Sequence, residues 1–332
     1  MRLVGWFAVT LVLGLFLAAT VAWYGQQWAH RPLSIPEGGV RFEVERGASL
    51  AGIAGELTRR GVLERPLYWR LLARLRGMDD RLQAGEYRLQ RGLTPMGLLE
   101  SLVAGDVVRY DVTVPEGWRF RRMLEAVQSH EAVEVTLSGP QELMARLGKP
   151  EVAPEGWFYP DTYFFRRGTS DLALLRRSHE HMQQRLQAEW QDREPDLPLE
   201  TPYEALILAS IVEKETAVAD ERPMIAAVFL ERLRRGMRLQ SDPTVIYGLG
   251  EAYEGDIRSR HLREDQPYNT YTRQGLPPTP IALPSGAAIH AALHPAETDA
   301  LYFVATGDGR HHFSSSYEEH QRAVAEHQLG GG

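Results

Sequence analysis

The sequence predicts an α+β protein, on three observations. Between residues 41 and 127, three short alternating strands are each followed by a glycine turn and an amphipathic helix. From residue 171 onward, long helical segments with apolar faces dominate. Near the C-terminus, "LYFVATGDGRHHFSSS" (301–316) sets two strands on either side of a Gly-Asp-Gly turn, the pattern of a hairpin.

The chain opens on "LVGWFAVTLVLGLFLAATVAWY" (3–24), which carries no charged residue. A helix of that length crosses a hydrocarbon core about 30 Å thick. Trp6, Trp23 and Tyr24 suit the interfacial aromatic belts. The expectation is an uncleaved transmembrane anchor over residues 1–30. A cleaved signal peptide fits less well, because the run is long and its small-residue cleavage pattern is poor. No second such run follows, so the remainder is expected on one side of the membrane.

Residues 25–40 read as a polar linker. "RFEVERGASLAGIAGEL" (41–57) is a strand, a turn, Ser49 as helix cap and a helix. "EYRLQRGLTPMGLLESLVAG" (86–105) repeats the plan, with Thr94 as cap and Pro95 at the first helical position. A helix is expected near 66–76 between them. "RYDVTVPEGWRFRRMLEAV" (109–127) is the third copy. Units this short resemble LysM-like modules, which lie along glycan chains; the other reading is a generic α+β unit without a ligand. The expected division is a linker and LysM-like region at 31–108 and a mixed α+β catalytic domain at 109–332.

Residues 128–150 look helical and polar, and "APEGWFYPDTYFFRRGTS" (153–170) is dense in aromatics, as a core or cleft wall is. Helices are expected at 171–194, 203–219, 221–236 and about 285–293, with a last one from Tyr317. Residues 237–250, with Pro243 and two glycines, read as loop or turn.

Composition excludes several functions. The net charge of −7 over 332 residues argues against a nucleic-acid binder. With no cysteine there is no disulfide framework, thiol nucleophile or thiolate metal site. Phosphate-binding, hydrolase-elbow and dinucleotide fingerprints are missing. His290 and His294 have the i,i+4 spacing that suits zinc, but "HAALH" lacks the glutamate of the zinc-protease motif; both read as structural.

The chemistry concentrates in "ALILASIVEKETAV" (205–218), which ends a nearly uncharged apolar run with two glutamates. At helical spacing Glu215 continues the face of Leu208, Ile211 and Val212, whereas Glu213 shares a smaller, more polar face with Leu206, Ala209 and Ser210. Burial would raise the pKa of Glu215, as a general acid for glycosidic cleavage requires. The other reading of that residue is pairing with an arginine such as Arg222, or simply ending the helix at the surface.

"ASIVEKETAVADERPMIAAVFLERLRRGMRLQSDPTVIYGLG", "YNTYTRQGLPPTPIALPSGAAIHAALHPA", "LYFVATGDGRHHFS" and "EGWFYPDTY" resemble the YceG-like family of endolytic murein transglycosylases. The resemblance covers nearly the whole chain. It implies cleavage of the MurNAc-β-1,4-GlcNAc bond of nascent glycan strands without water, leaving 1,6-anhydro-MurNAc ends and using no metal or cofactor. The catalytic acid it implies is Glu215, with Glu213 the alternative. Gln240, Asp242, Asn269 and Tyr271 are the candidate substrate-binding residues, with Tyr247 as a stacking wall. Each of these could instead serve its loop, as Asn and Asp often do. The implied partners are peptidoglycan strands, the cytoplasmic membrane and peptidoglycan synthases, with the catalytic region extracytoplasmic. A hydrolytic muramidase and a non-catalytic wall-binding scaffold are the competing functions.

Overall fold

A computed structural model of the protein describes the backbone of residues 2–329 and the side chains of residues 11–327. The chain forms two compact units. One runs to Tyr110 and includes Phe165–Arg167; the other comprises Asp111–Phe164 and the chain from Gly168 onward.

The first unit begins with helix α1 (Arg2–Ala29). Its large apolar side chains from Leu11 to Tyr24 are exposed, and its end, at Trp28 and Ala29, is packed into the fold. Among the described residues no helix is long and apolar enough to cross a membrane. The helix expected over 3–24 is present and its large apolar side chains are exposed from Leu11 to Tyr24, while a membrane span is not shown; the side chains of residues 1–10 lie outside the description.

Strand β1 (Val40–Val44), helices α2 (Leu50–Arg59) and α3 (Pro66–Leu75), strand β2 (Gly85–Leu89) and helix α4 (Pro95–Ala104) follow. β1 and β2 pair antiparallel, with Phe42 opposite Tyr87. Strand alternation turns Phe42, Val44, Tyr87 and Leu89 onto one face, where α2, α3 and α4 cover them. Ser49 and Thr94 cap α2 and α4 as the sequence indicates, accepting from the N–H groups of Gly52 and Gly97. Buried Trp69 donates its indole N–H to the Pro95 carbonyl at 3.1 Å. The first two strand–turn–helix copies thus close over one core.

The third copy leads into the second unit through strand β3 (Tyr110–Thr113) and helix α5 (Phe120–Gln128). Strand β4 (Val133–Glu134) and helix α6 (Pro140–Arg146) occupy the stretch expected to be helical throughout. Strand β5 (Thr162–Phe165) pairs with β3, and strand β6 (Thr169–Ser170) with β4. Helices α7 (Asp171–Gln191), α8 (Pro202–Glu215), α9 (Arg222–Arg234), α10 (Asp242–Leu249), α11 (Ser259–Arg263) and α12 (Gly286–Leu293) come next. Strands β7 (Tyr302–Ala305) and β8 (His311–Ser314) form the expected hairpin, with Phe303 opposite Phe313. Helix α13 (Tyr317–Val324) follows it.

The core of this unit is built around α8. Every residue from Ala205 to Val212 is buried, under α7, α9 and α12. A helix apolar on all sides has no stable place at a surface, which explains its central position. Two expectations are corrected here. The helix expected at 203–219 ends at Glu215, because Thr216 is extended (φ −140°, ψ 138°). The segment 237–250 contains a helix, α10: Pro243 stands in its first turn, where a missing N–H costs nothing.

Candidate active site

Two helix ends meet at the site: the C-terminus of α8 and the N-terminus of α10. Glu215 is the last residue of α8, where the helix dipole disfavours negative charge. Ser241 stands at the N-cap of α10 but makes no cap hydrogen bond. Its hydroxyl instead donates to Glu215 Oε1 at 2.5 Å. Thr270 holds Ser241 in place: its Oγ1 accepts the Ser241 N–H at 3.0 Å, and its carbonyl accepts the Gln240 N–H at 3.1 Å. Buried Thr244 completes the brace, donating to the Ser241 carbonyl at 2.7 Å. Gln240 takes a left-handed φ of +51°, a conformation that disfavours a residue with a Cβ by roughly 1–2 kcal/mol. The turn that presents Gln240 and Ser241 is thus strained and held by its surroundings.

Glu215 lines a cavity of about 490 Å³ together with Arg232, Gln240, Asp242 and Tyr271. Tyr302, Phe303 and His311 of the hairpin also line it, with Tyr317 and His320 of α13. Burial raises the Glu215 pKa to about 7, and Asp242 adds to the rise; the Ser241 hydroxyl and Arg232 oppose it. Arg232 is itself buried, which lowers its pKa. It donates to the carbonyls of Leu301 at 2.7 Å and Leu239 at 2.5 Å, and lies 5.3 Å from the Tyr302 ring centroid. Tyr271 Oη donates to Asp242 Oδ1 at 2.6 Å.

The structure therefore brings together Glu215, Gln240, Asp242 and Tyr271 of the sequence-expected residues. It places the other three elsewhere. Glu213 accepts from the Ser285 N–H at 3.0 Å and the Ser285 hydroxyl at 2.5 Å, with Arg222 Nη2 3.6 Å away. Those bonds tie α8 to the start of α12. Asn269 is fully buried, and its amide donates to the carbonyls of His261, Leu262 and Glu264, holding the loop after α11. Tyr247 turns to Glu155, donating to its Oε2 at 3.2 Å, with the Arg119 guanidinium 4.9 Å from its ring centroid.

Sequence reasoning missed four groups. Arg232 reads as one more charge on α9, yet it is buried at the cavity. His311 Nδ1 lies 2.9 Å from Oε2 of buried Glu221, which also accepts the His311 N–H at 3.0 Å. His320 stacks on Tyr302, 5.2 Å between ring centroids, and burial lowers its pKa. Glu155 accepts the Phe120 N–H at 2.9 Å and is raised by burial to about 7. The "EGWFYPDTY" resemblance marked its segment, but no local pattern marks its burial. Among the described residues, a grouping with metal-ligand chemistry, Glu189 with His290 and His294, lies outside the cavity lining.

A proton-bearing carboxyl beside a cation and an aromatic wall suits acid–base chemistry on a polar, ring-shaped substrate. The profile of the YceG-like family matches residues 42–326. The chain belongs to that family. It is 27% identical over 313 residues to an endolytic murein transglycosylase of Bacillus subtilis (strain 168), covering 86% of this chain and 83% of that relative. It is 28% identical over 324 residues to an endolytic murein transglycosylase of Streptococcus pneumoniae serotype 2, covering 87% of this chain and 58% of that protein. A solved yceG-like protein of Listeria monocytogenes superposes with a TM-score of 0.55 at 28% identity, over 86% of this chain and 99% of its own.

Proposed function

We propose that this YceG-like chain is an endolytic murein transglycosylase with Glu215 as its acid and base. The observation that carries this is a single glutamate, held near pKa 7, in a cavity rich in sugar-binding side-chain types, in a chain whose relatives carry that name.

The proton on Glu215 passes to the glycosidic oxygen, and the bond from C1 of MurNAc to the GlcNAc oxygen breaks. Positive charge develops at C1. The new carboxylate accepts the Ser241 hydroxyl and faces Arg232, so it need not be stabilised by water. The substrate's own C6 hydroxyl attacks C1, and its proton returns to Glu215. The products are a 1,6-anhydro-MurNAc end and a free GlcNAc hydroxyl, and water is neither added nor released. Because the attacking group is part of the substrate, its proximity replaces a captured nucleophile. Gln240, Asp242 and Tyr271 bind sugar hydroxyls and amides, and exposed Tyr317 offers a face for ring stacking.

Residues 1–30 anchor the chain in the bacterial cytoplasmic membrane with the catalytic region outside; the uncharged run 3–24 and the exposed Leu13, Phe16, Leu17 and Trp23 support this. The region 31–108 is a LysM-like glycan-binding module, supported by the closure of two strand–turn–helix units on one core. The catalytic domain is 109–332. Peptidoglycan synthases are the partners that would supply nascent strands.

Digestion of purified glycan strands by the full chain in detergent, read by mass spectrometry, tests the reading. Anhydro ends, one water lighter than hydrolysed ends, are expected. Hydrolysed ends would make it a muramidase, and intact strands would make it a binding protein.

A further inference from the structure

Helices α7 and α12 end side by side, away from the cavity. The Glu194 N–H, just beyond α7, donates to the carbonyl of Leu293, the last residue of α12, at 3.0 Å. Three side chains converge at this join. His290 Nδ1 lies 2.8 Å from Glu189 Oε2, and His294 Nε2 lies 3.8 Å from the same oxygen. One ligand atom from each residue lies within 4.8 Å of the other two.

We propose that Glu189, His290 and His294 bind a zinc-class divalent cation that ties α7 to α12. Four features lead there. His294 Nε2 is buried and has no hydrogen-bond partner among the described residues. Such a group carries a desolvation cost that a metal bond would remove. Next, donors at about 2.0–2.1 Å from a tetrahedral ion stand roughly 3.3 Å apart, and the two measured separations fall on either side of that. Third, the two oxygens of Glu189 are divided. Oε1 is fixed by Arg185 Nη2 at 2.7 Å, which leaves Oε2 turned to both histidines. Fourth, further carboxylates surround His294. Asp192 Oδ2 is 3.9 Å from Nε2, a fourth donor and the second oxygen. Glu194 Oε1 is 3.8 Å from Nδ1, on the side where a carboxylate orients a metal-bound imidazole.

Two imidazoles and a carboxylate select zinc, nickel or cobalt over magnesium or calcium, which require oxygen ligands. The i,i+4 histidine pair that lacks its glutamate in the local sequence acquires one from 101 residues away. The ion would be a strut rather than a reactant: α12 packs on α8, the helix that ends at Glu215.

The test uses the full chain without a polyhistidine tag, stripped with chelator and dialysed. Zinc chloride and magnesium chloride are added separately, followed by equilibrium dialysis with metal analysis and by thermal melting. One tight zinc per chain is expected, with Tm rising by about 5 °C or more at a hundredfold excess over Kd. Magnesium should change neither. His294→Ala should lose the tight zinc. His290→Ala, at a more exposed position, should do the same while melting like the stripped parent. The proposal is overturned by the absence of tight zinc, or by zinc binding that survives in both folded variants.

Discussion

The Ser241 hydroxyl, which stands where it could cap its own helix, instead donates to Glu215 Oε1 at 2.5 Å. An unused cap typically forfeits about 1 kcal/mol of helix stability. The strained turn at Gln240 and the Thr270 brace serve the same arrangement. Stability is given up at the point where a carboxyl at a helix C-terminus is oriented, as expected of a reacting group rather than a structural one.

Glu215→Gln should abolish strand cleavage and keep the fold, because the amide has nearly the same shape and holds no transferable proton. Glu213→Gln should do the reverse. It weakens two hydrogen bonds from Ser285 and the approach to Arg222, so a loss of about 2–4 kcal/mol is expected, with activity retained below the melting temperature. Melting curves and cleavage assays on the two variants separate the roles. An active Glu215→Gln enzyme would sink the assignment.

Much of this site was legible in the sequence because its elements are local. The apolar run 205–212 marked a buried helix, and periodicity set Glu215 on its greasier side. Ser49 and Thr94 were readable as caps, since capping depends on three or four neighbouring residues. What stayed hidden depends on distant pairing. His311 and Glu221 are 90 residues apart, and the partner of the 290/294 histidine pair comes from the end of α7. Asn269 and Tyr271 lie two positions apart in one loop, yet one turns into the fold and the other into the cavity; only the folded backbone decides that. α10 was missed because Pro243, Gly248 and Gly250 outweighed its short apolar segment.

The raised pKa of Glu215 has a sign that can be tested. Its folded value, about 7, lies above its ordinary 4.5, so the folded chain holds an extra proton between those values. The stabilisation is fully present below about pH 4.5 and is lost as pH rises through 7. The upper bound is about 3 kcal/mol. Glu215→Gln never ionises there, so it should melt higher than the parent at pH 8 and gain no such advantage at pH 4.5. Cleavage by the parent should fall above pH 7 as the acid loses its proton. A rate unchanged from pH 6 to 9 on purified strands would contradict Glu215 as the acid.

Gly156→Ala should destabilise the second unit by about 2–4 kcal/mol, the sum of an unfavourable backbone and overpacking. Gly156 has φ +81°, and an added Cβ would lie 2.5 Å from both Cβ and Cγ of Pro280. The neighbouring Glu155, which holds the Phe120 N–H and the Tyr247 hydroxyl, would be displaced with it. Gly117→Ala is the control. Its φ is +71°, but the nearest atom to an added Cβ is 3.7 Å away, so only the backbone cost of about 1–2 kcal/mol remains. Equal melting temperatures for the two variants would show that Pro280 yields.

Deleting residues 41–105 should weaken binding to long glycan strands more than it slows cutting. Glu215, Arg232, Asp242 and Tyr271 all belong to the second unit, and the core of that unit is separate from the one around β1 and β2. A binding module adds contacts and effective concentration, not stabilisation of the bond-breaking step. Apparent KM for polymeric strands should therefore rise while kcat changes less. The deletion removes bonds to residues that remain, among them those from the Val108 N–H to the Glu86 carbonyl at 2.6 Å and from the Leu33 N–H to the Leu93 carbonyl at 2.8 Å. Glu86, buried in the first unit, accepts from Tyr110 Oη and Arg167 Nε, both at 2.6 Å, and it goes with the segment. Tyr110 and Arg167 keep their mutual bond at 2.8 Å. Circular dichroism and melting must show a folded product before kinetics are compared. If that product binds strands as tightly as the parent and its kcat collapses, the segment acts in catalysis and the modular reading fails.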